Sequence, residues 1–409
     1  MIDKIKQFYN ESNLNINDLP FISDIEKAGG EIFSVGGSTR DELLGKESKD
    51  LDILIRGIPI DKMNSILKKY GSVNLVGQKF GVIKWKEFGS NEDIDIAIPR
   101  TEIKTGPNRT DFEVSSDPML PLEHDLYRRD FTFNAISKKL NGEMIDPYNG
   151  RLDIKNKIIR MINPDSFDEK KGDPLRLLRA IGFSSRFSFK IEEKTLKAMR
   201  ESSYTIKSIS KERIFEEFKK MLKGDKNLIN GISYLIRTKL FFYIFGFKKI
   251  FFQLKEFKKI NHISELLFLI TYGNNVKQLG EFIKNKIAVD NKTESEVNMF
   301  NEIYLNLNNL FTSIDRKLFL YSIFNKYKNE LILNSSIIPP EFNKELKEFK
   351  NNEFPKLQSQ VQINGSDIMN LGYQGKQIKE VMNKIMIQIF SKNIKNTKQD
   401  ILEYLNAKN

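Results

Sequence analysis

Short runs of β-branched and aliphatic residues alternate with glycine-containing turns over about the first 140 residues, a pattern typical of β-strands. The runs predicted to be strands are Glu31–Val35, Leu51–Ile55, Val73–Val76, Val82–Lys86 and Asp93–Ile98. Between the first two, Gly36-Gly37 predicts a turn, and Thr39–Leu44 predicts a short helix that Gly45 ends. The polar segment between Pro99 and Pro118 contains Gly and Pro and predicts a mobile loop.

From about Pro174 onward, apolar positions recur at helical spacing. Leu175, Leu178 and Ile181 mark one such face, and the rest of the chain has few strand-like alternations. The apolar stretch Leu240–Phe257 predicts a buried helix rather than a membrane span, because lysines interrupt it. These patterns predict an α+β chain, with an N-terminal head of mixed β-sheet and helices followed by an all-helical part.

Composition limits the chemistry that is open to the chain. It has 409 residues and 66 Lys+Arg against 54 Asp+Glu, a net charge of +12 that suits a polyanionic partner without proving one. The absence of cysteine excludes disulfides, thiolate zinc sites and cysteine nucleophiles, and two histidines cannot build a His-rich metal centre. Any metal is therefore expected to be a hard cation held by carboxylates. Without the apolar segment of a secretory signal, the N-terminus predicts a cytoplasmic protein with no membrane association.

Three aspartates are candidate metal ligands. Asp50 and Asp52 stand two residues apart at the start of a predicted strand, so their side chains point to one face about 6.6 Å apart at Cα. Two neighbouring carboxylates repel each other unless a cation neutralises them, and Mg²⁺ is the natural candidate. Asp95 can add a third carboxylate from a neighbouring strand. Such a set can hold two metals about 3.5–4 Å apart, which is the arrangement that activates a hydroxyl and stabilises a leaving pyrophosphate.

A glycine turn next to these aspartates suggests a phosphate site. Gly36 and Gly37 would let backbone N–H groups approach phosphate oxygens, and Arg40 would add a fork of donors for a triphosphate. A Gly-Gly turn or an Asp-x-Asp pair alone is most often only structural. Their combination in one strand–turn–helix–strand unit is what predicts chemistry.

Several further segments carry a resemblance to a known family. Arg128–Ile136 reads RRDFTFNAI, and the other matching segments are Gly77–Ile83, Asp95–Glu102, Asp146–Gly150, Asp173–Ala180, Ile209–Ile214 and Ile363–Met369. The chain resembles the class II tRNA nucleotidyltransferases, or CCA-adding enzymes, and their relatives the bacterial poly(A) polymerases. The resemblance is dense over residues 31–222 and thin over residues 223–360.

The resemblance implies a role for each group of site residues. Metal binding by Asp50 and Asp52 and activation of the RNA 3′ hydroxyl by Asp95 would form the catalytic centre. The residues implied to hold the triphosphate and ribose are Gly37, Arg40, Arg129, Asp130 and Asn134. The residues implied to face the incoming base are Asp173 and Arg176, with Arg179 nearby.

The pair Asp173 and Arg176 also fits this role by its hydrogen-bonding groups. Cytosine and adenine each present an amino donor beside a ring-nitrogen acceptor, which matches one carboxylate and one guanidinium at helical spacing. Guanine and uracil present the reverse pattern, and each unpaired buried group costs about 1–3 kcal/mol. The protein would thus accept CTP and ATP without a nucleic-acid template.

Two positions depart from the family pattern as the resemblance presents it. Gly172 stands where the family usually has Glu, and Gly182 stands where it usually has a further Arg. Both departures concern the nucleotide pocket and leave the metal site untouched.

The resemblance divides the chain into a head (1–140), a neck that selects the nucleobase (141–225), a helical body (226–350) and a helical tail that binds tRNA (351–409). It implies transfer of C, C and A from CTP and ATP to a tRNA, gripped at its acceptor and TΨC arms. The sequence identifies no protein partner. The alternatives are a poly(A) polymerase, a CC- or A-adding enzyme, and a non-catalytic RNA-binding relative; the plain C-terminus Asn406–Asn409 disfavours the first.

Overall fold

The computed structural model describes residues 16–46, 51–74, 81–90, 93–104, 112–224, 227–306, 312–352 and 354–407. The chain divides into two compact units, Met1–Gly246 and Phe247–Asn409. The strands that the structure describes all lie in the first unit, and the second is built of helices. The expected α+β organisation, with strands first and helices after, is confirmed.

A seven-stranded mixed sheet forms the head of the first unit, in the order β3-β4-β5-β2-β1-β8-β9. Its strands are β1 (Glu31–Val35), β2 (Ile53–Arg56), β3 (Gly71–Asn74), β4 (Val82–Glu87), β5 (Ile94–Ala97), β8 (Ser137–Lys139) and β9 (Met144–Ile145). Strands β2 and β5 run parallel, and the other neighbours are antiparallel. Two small separate sheets pair β6 (Arg100–Lys104) with β7 (Phe112–Ser116) and β10 (Ile158–Ile159) with β11 (Lys190–Ile191).

Alternation along the strands buries both faces of the sheet. Ile53 and Ile55 enter one core, while Leu54 between them enters the core on the opposite face. The first core includes Trp85. Its ring packs edge-on against the ring of Phe21, with 4.9 Å between the ring centres, and its indole N–H donates a hydrogen bond to the carbonyl of Leu67. Helices cover both faces, so the polar ends of the strands remain as the place for a site.

Ten helices of the first unit lie among the described residues: α1 (Ile22–Lys27), α2 (Gly36–Leu43), α3 (Ile60–Leu67), α4 (Leu122–Tyr127), α5 (Gly150–Asn156), α6 (Arg176–Phe187), α7 (Glu193–Glu201), α8 (Lys211–Lys220), α9 (Leu228–Arg237) and α10 (Leu240–Phe245). Helix α6 has one apolar side in the core, where Leu177, Ile181 and Ser184 are buried, and packs against α8 and α9. Its other side carries the residues implied to read the nucleotide.

The second unit contains α11 (Ile263–Thr271), α12 (Leu279–Ile287), α13 (Asn291–Asn306), α14 (Ser313–Tyr327), α15 (Leu331–Asn334), α16 (Pro340–Asn351), α17 (Gly365–Asn370), α18 (Lys376–Phe390) and α19 (Lys398–Asn406). Stacked rings of Phe324 and Phe349 help to form its core. Lys317 is buried there and donates to Glu348 at 3.0 Å. No helix in the described part of the chain is long and apolar enough to cross a membrane.

The structure corrects two local predictions. The segment between Pro99 and Pro118 is not simply a loop, since β6 and β7 pair from Arg100↔Ser116 to Lys104↔Phe112; residues 105–111 lie outside the described part. This two-stranded ribbon forms a sheet of its own and can therefore be polar. The predicted helix Leu240–Phe257 ends at Phe245, because Gly246 takes the left-handed backbone (φ +84°) that ends helices.

Replacing Phe21 by alanine tests the core around Trp85. Both side chains are fully buried, so we expect Phe21→Ala to lower the free energy of unfolding by about 3–5 kcal/mol. Trp85 is the single tryptophan, so its fluorescence during urea unfolding reports on this unit. Phe88→Ala removes a ring that is 67% exposed and should change stability by less than about 0.5 kcal/mol. Equal effects of the two substitutions would contradict this account of the core.

Candidate active site

Asp52 is the residue before the first residue of β2. Its side chain contacts the first turn of helix α2, which begins at Gly36. Its Oδ2 accepts hydrogen bonds from the backbone N–H groups of Gly37 (3.1 Å) and Ser38 (3.3 Å). These are N–H groups of the first helical turn, which have no partner within the helix and favour a negative charge. The carboxylate of Asp52 is therefore held in one orientation by the backbone.

The two glycines at the start of α2 make room for charged side chains. Gly36 has φ +66°, and a Cβ there would lie 2.6 Å from Nη1 of Arg129. A Cβ on Gly37 would lie 3.1 Å from Oδ2 of Asp52. The N–H of Gly37 donates to the carboxylate of Asp52 in this structure. Binding of phosphate by Gly36 and Gly37 therefore stays a prediction.

Strand register brings Asp95 next to Asp52. The parallel pair β2–β5 aligns Ile53 with Ile96 and Leu54 with Ala97, and one step back aligns the two aspartates on the same face. The side chain of Asp95 is 56% exposed and forms an ion pair at 2.9 Å with Lys84, its neighbour on β4. The hydrogen bond from this lysine to Asp95 raises the pKa of Lys84, which keeps it charged beside the carboxylate.

Asp50 lies outside the described residues, as do residues 77–80 of the predicted motif Gly77–Ile83. Within the described part, no group of three or more Asp, Glu, His or Cys side chains could hold a metal ion. Asp52 and Asp95 still supply two carboxylates from adjacent strands, which is the donor type that a hard cation prefers. The donor type therefore fits such a cation, with Asp50 and Asp52 as the predicted ligands and Asp95 as the third carboxylate.

A buried carboxylate anchors the arginine pair of the RRDF segment. Asp125 on α4 is fully buried and receives hydrogen bonds from Arg128 (2.9 and 2.6 Å) and Arg129 (3.1 Å). Burial alone would raise the pKa of Asp125, but the two guanidinium charges outweigh it and hold this pKa below its usual value. Asp125 was not among the residues predicted from the sequence, although its spacing of three and four residues from the arginines was a usable signal.

A chain of polar contacts joins α2, the RRDF segment and α6. Arg40 donates to Oδ1 of Asn134 (2.8 Å), and Asn134 donates to Oδ1 of Asp130 (2.8 Å). Arg179 donates to Oδ2 of Asp130 through Nε (2.8 Å) and Nη2 (2.7 Å). Burial would raise the pKa of Asp130, but the charges of Arg179 and Arg176 outweigh it and lower this pKa. Four of the residues implied to bind the nucleotide are thus assembled in one place.

Asp173 and Arg176 stand at the beginning of α6. The helix begins at Arg176, so Asp173 lies in the preceding turn and not on the helix as expected. Its carboxylate accepts from the N–H of Leu175 (3.0 Å) and from Arg213 (2.9 Å), while Arg176 donates to the carbonyl of Arg128. The sequence analysis assigned no role to Arg213, although it lies in the matching segment Ile209–Ile214. This arginine holds Asp173 in place from α8.

The two glycines that depart from the family pattern have different surroundings. A Cβ on Gly172 would lie 2.3 Å from the carbonyl oxygen of Asp165 and 2.4 Å from that of Ser166, so this backbone turn admits no side chain. A Cβ on Gly182 would have one neighbour within 4 Å, Oε2 of Glu217 at 3.9 Å. The first glycine is therefore demanded by the local backbone, and the second leaves open space on α6.

Comparisons with known proteins show the family of the chain. Residues 32–160 match the family model described as the poly A polymerase head domain, and residues 188–249 match the model of a probable RNA and SrmB-binding site of polymerase A. A CCA-adding enzyme of Ligilactobacillus salivarius is 32% identical over 410 residues, covering 95% of this chain and 95% of the relative. The chain belongs to the CCA-adding enzyme family.

Solved structures of CCA-adding enzymes share the fold. The enzyme of Bacillus stearothermophilus in complex with CTP has a TM-score of 0.70 at 24% identity, over 95% of both chains. That of Thermotoga maritima complexed with tRNA_CCA has a TM-score of 0.69 at 23% identity, over 94% of this chain and 93% of the other. CCA-adding enzymes are nucleotidyltransferases, a class of enzymes that is generally metal-dependent.

Asp125 should link the stability of this protein to pH. Because its folded pKa is depressed, its stabilisation is present above the ordinary pKa, about 4, and is lost as the pH falls through the folded pKa. Asp125→Asn removes the carboxylate that two partly buried arginines share and should lower the free energy of unfolding by about 1–3 kcal/mol at pH 7. Urea unfolding of wild type and variant across the acid range measures both effects. An unchanged acid dependence in the variant would contradict the assignment, and the exposed Asp61→Asn is the control.

Gly172 and Gly182 should respond oppositely to alanine. At Gly172 the new methyl group overlaps two carbonyl oxygens, so Gly172→Ala should destabilise the protein by about 1–3 kcal/mol or more. At Gly182, inside α6, alanine adds helix propensity and should stabilise by about 0.5–1 kcal/mol. Thermal unfolding of the two variants distinguishes them. A tolerated Gly172→Ala would show that this turn does not require glycine.

Proposed function

We propose that this protein adds C, C and A in turn to the 3′ end of tRNA, from CTP and ATP and without a nucleic-acid template. The observation that carries the proposal is the register of β2 and β5, which aligns Asp52 with Asp95 beside the start of α2. The full-length likeness to CCA-adding enzymes supports it. We also propose that the protein acts in the cytoplasm.

Asp52, Asp95 and the predicted Asp50 would form the catalytic centre. In the reaction the RNA 3′ oxygen bonds to the α-phosphorus, the bond from that phosphorus to the bridging oxygen breaks, and pyrophosphate leaves. Asp50 and Asp52 would hold Mg²⁺, which when bound supplies Lewis acidity toward the hydroxyl and the leaving group. Asp95 would help to draw the proton from the hydroxyl, and Lys84 would limit its charge until RNA arrives.

The nucleotide would be bound by the polar chain between α2 and α6. Arg40 and Arg129, with Gly36 and Gly37 beside them, carry the positive charge and the close backbone approach that a triphosphate requires. Asn134 and Asp130 can bind ribose hydroxyls. Since these side chains already hold one another, little ordering entropy is lost when a nucleotide binds.

Base choice would be made by Asp173 and Arg176, with Arg179 behind them. Arg213 and the N–H of Leu175 fix Asp173, and the carbonyl of Arg128 fixes Arg176. One acceptor and one donor held by their own partners match the edges of cytosine and adenine and oppose those of guanine and uracil. The fixed side chains of Asp173 and Arg176 would thus take the place of a nucleic-acid template in choosing the incoming base.

The helical remainder of the chain would bind RNA. We propose the division into head (1–140), neck (141–225), body (226–350) and tail (351–409), with the acceptor and TΨC arms of tRNA gripped by shape and phosphate contact. The net charge of +12 favours such a partner. A poly(A) polymerase, a CC- or A-adding enzyme and a non-catalytic relative remain the alternatives that the following experiment separates.

Transfer assays on defined RNA ends test the function and the metal ligand together. We expect wild-type protein with Mg²⁺ to add C, C and one A to tRNA that ends at the discriminator base, and then to stop. Asp52→Asn should lower the rate by at least about a thousandfold, because several kcal/mol of transition-state stabilisation are lost, while gel-shift affinity for tRNA stays the same. Asp61→Asn is the control, an exposed aspartate on α3.

Each alternative predicts a different product. Long A tracts on an unrelated RNA would identify a poly(A) polymerase, and a stop after CC or addition of A alone would identify a partial enzyme. Full activity of Asp52→Asn would refute the proposed ligand. Tight tRNA binding without transfer by the wild type would identify a non-catalytic relative.

A further inference from the structure

Arg186 lies on the side of α6 that carries the proposed nucleotide-binding residues. With 3.6 residues per turn, Arg179, Phe183 and Arg186 fall on one face of this helix. The opposite face is buried in the core, where Ile181 and Ser185 lie. Arg186 therefore belongs to the site face by position, although neither the sequence motifs nor the proposed function assigns it a role.

Two phenylalanine rings bring Arg186 together with Arg40. The guanidinium carbon of Arg186 lies 5.1 Å from the ring centre of Phe187 and 5.7 Å from that of Phe183. Arg40 lies 5.1 and 5.5 Å from the same two rings, and Nζ of Lys46 lies 5.4 Å from Phe187. Three cations thus surround one aromatic side chain, which is a concentration of positive charge suited to a polyanion.

Arg186 differs from Arg40 and Arg179 in its hydrogen-bond partners. Arg40 is bound by Asp41 and Asn134, and Arg179 by Asp130. Within the part of the chain that the structure describes, Arg186 has no hydrogen bond or ion pair, and its Nε is buried without a partner. Burial, followed by repulsion from Arg40, lowers the pKa of Arg186. The charges of Asp41 and Glu217 act in the opposite direction but do not outweigh these effects. A partly buried cation whose side chain has no bonded anion is stabilised when an anion joins it.

We propose that Arg186 binds a phosphate oxygen of the incoming nucleoside triphosphate, beside Arg40. The inference rests on the proposed function and adds a phosphate ligand to it. A nucleotide is favoured over the RNA backbone because Arg186 shares its two rings with Arg40 and its helix face with Arg179. The guanidinium of Arg186 supplies donors in addition to those of Arg40, three of which are bonded to Asp41 and Asn134.

Substituting Gly182 by arginine can place a guanidinium one turn away from Arg186 on the same helix. Gly182 lies one turn before Arg186, and the space at its Cβ is open except for Oε2 of Glu217 at 3.9 Å. An arginine at this position has a neighbouring carboxylate and lies beside Arg179 and Arg186 on the helix surface. Gly182 is buried, but the open space at its Cβ admits a side chain, so a charge lost at Arg186 can be replaced from this position.

The test measures binding of CTP, of tripolyphosphate and of tRNA to the full chain by calorimetry, with Mg²⁺ present. Arg186→Ala should weaken binding of CTP and tripolyphosphate by about ten- to a hundredfold, the value of a charge-assisted hydrogen bond, and leave tRNA affinity unchanged. Arg186→Lys should lose less, and the double variant Gly182→Arg/Arg186→Ala should regain most of the loss. Arg200→Ala removes an exposed arginine from α7 and is the control for net charge.

Each contrary result has a defined meaning. Unchanged CTP and tripolyphosphate binding in Arg186→Ala, or in Arg186→Gln where the alanine variant does not fold, would overturn the inference. A loss confined to tRNA affinity would assign Arg186 to the RNA backbone and would also overturn it. If wild type binds CTP but transfers no nucleotide, the proposed function fails while the binding data still decide the role of Arg186.

Discussion

The parallel pairing of β2 with β5 is the constraint on which the candidate site depends. Continued by one residue, this register places Asp52 opposite Asp95 on one face of the sheet, although 42 intervening residues separate them in the chain. A slip of one residue would turn either aspartate toward the opposite core. The slip is opposed by the side chains that follow, since Ile53 and Ile96 fill one core while Leu54 and Ala97 pack in the other. Burial of aliphatic residues thus sets the position of the carboxylates.

Around this pair, charged residues are held by buried partners of opposite sign. Asp125 fixes the arginines of the RRDF segment, and Asp130 connects Arg179 of α6 to Asn134 and so to Arg40 of α2. Removing either carboxylate would take away a charged partner from arginines that are partly buried, which destabilises the fold. The side chains proposed to bind the nucleotide are therefore positioned in its absence. Such preorganisation would let a protein surface select a base that nucleic-acid polymerases select with a template.

In the proposed function, helix α6 would connect base choice to phosphate binding. Its start carries Arg176 next to Asp173, its middle carries Arg179, and its last turn carries Arg186 and Phe187. Because all of these lie on one rigid helix whose far side is buried, the base and the phosphates would be read from a fixed frame. Gly172 and Gly182 show that this frame departs from the family pattern in two different ways, one imposed by the backbone turn and one that leaves space.

The sequence alone determined the order of strands and helices, the family, and most residues of the candidate site, because these depend on local periodicity and on short motifs. It predicted β1 correctly and misread the β6–β7 ribbon as a loop, since a ribbon outside the main sheet carries no buried alternation. It assigned no role to Asp125, Arg213 or Arg186. Three features depend on atoms brought together from distant parts of the chain. They are the ion pairs of Asp125 and Asp173, the turn at Gly172 that has no room for a Cβ, and the environment of the Arg186 guanidinium. Only the tertiary structure decided those, because burial and low dielectric exist only once the chain has folded.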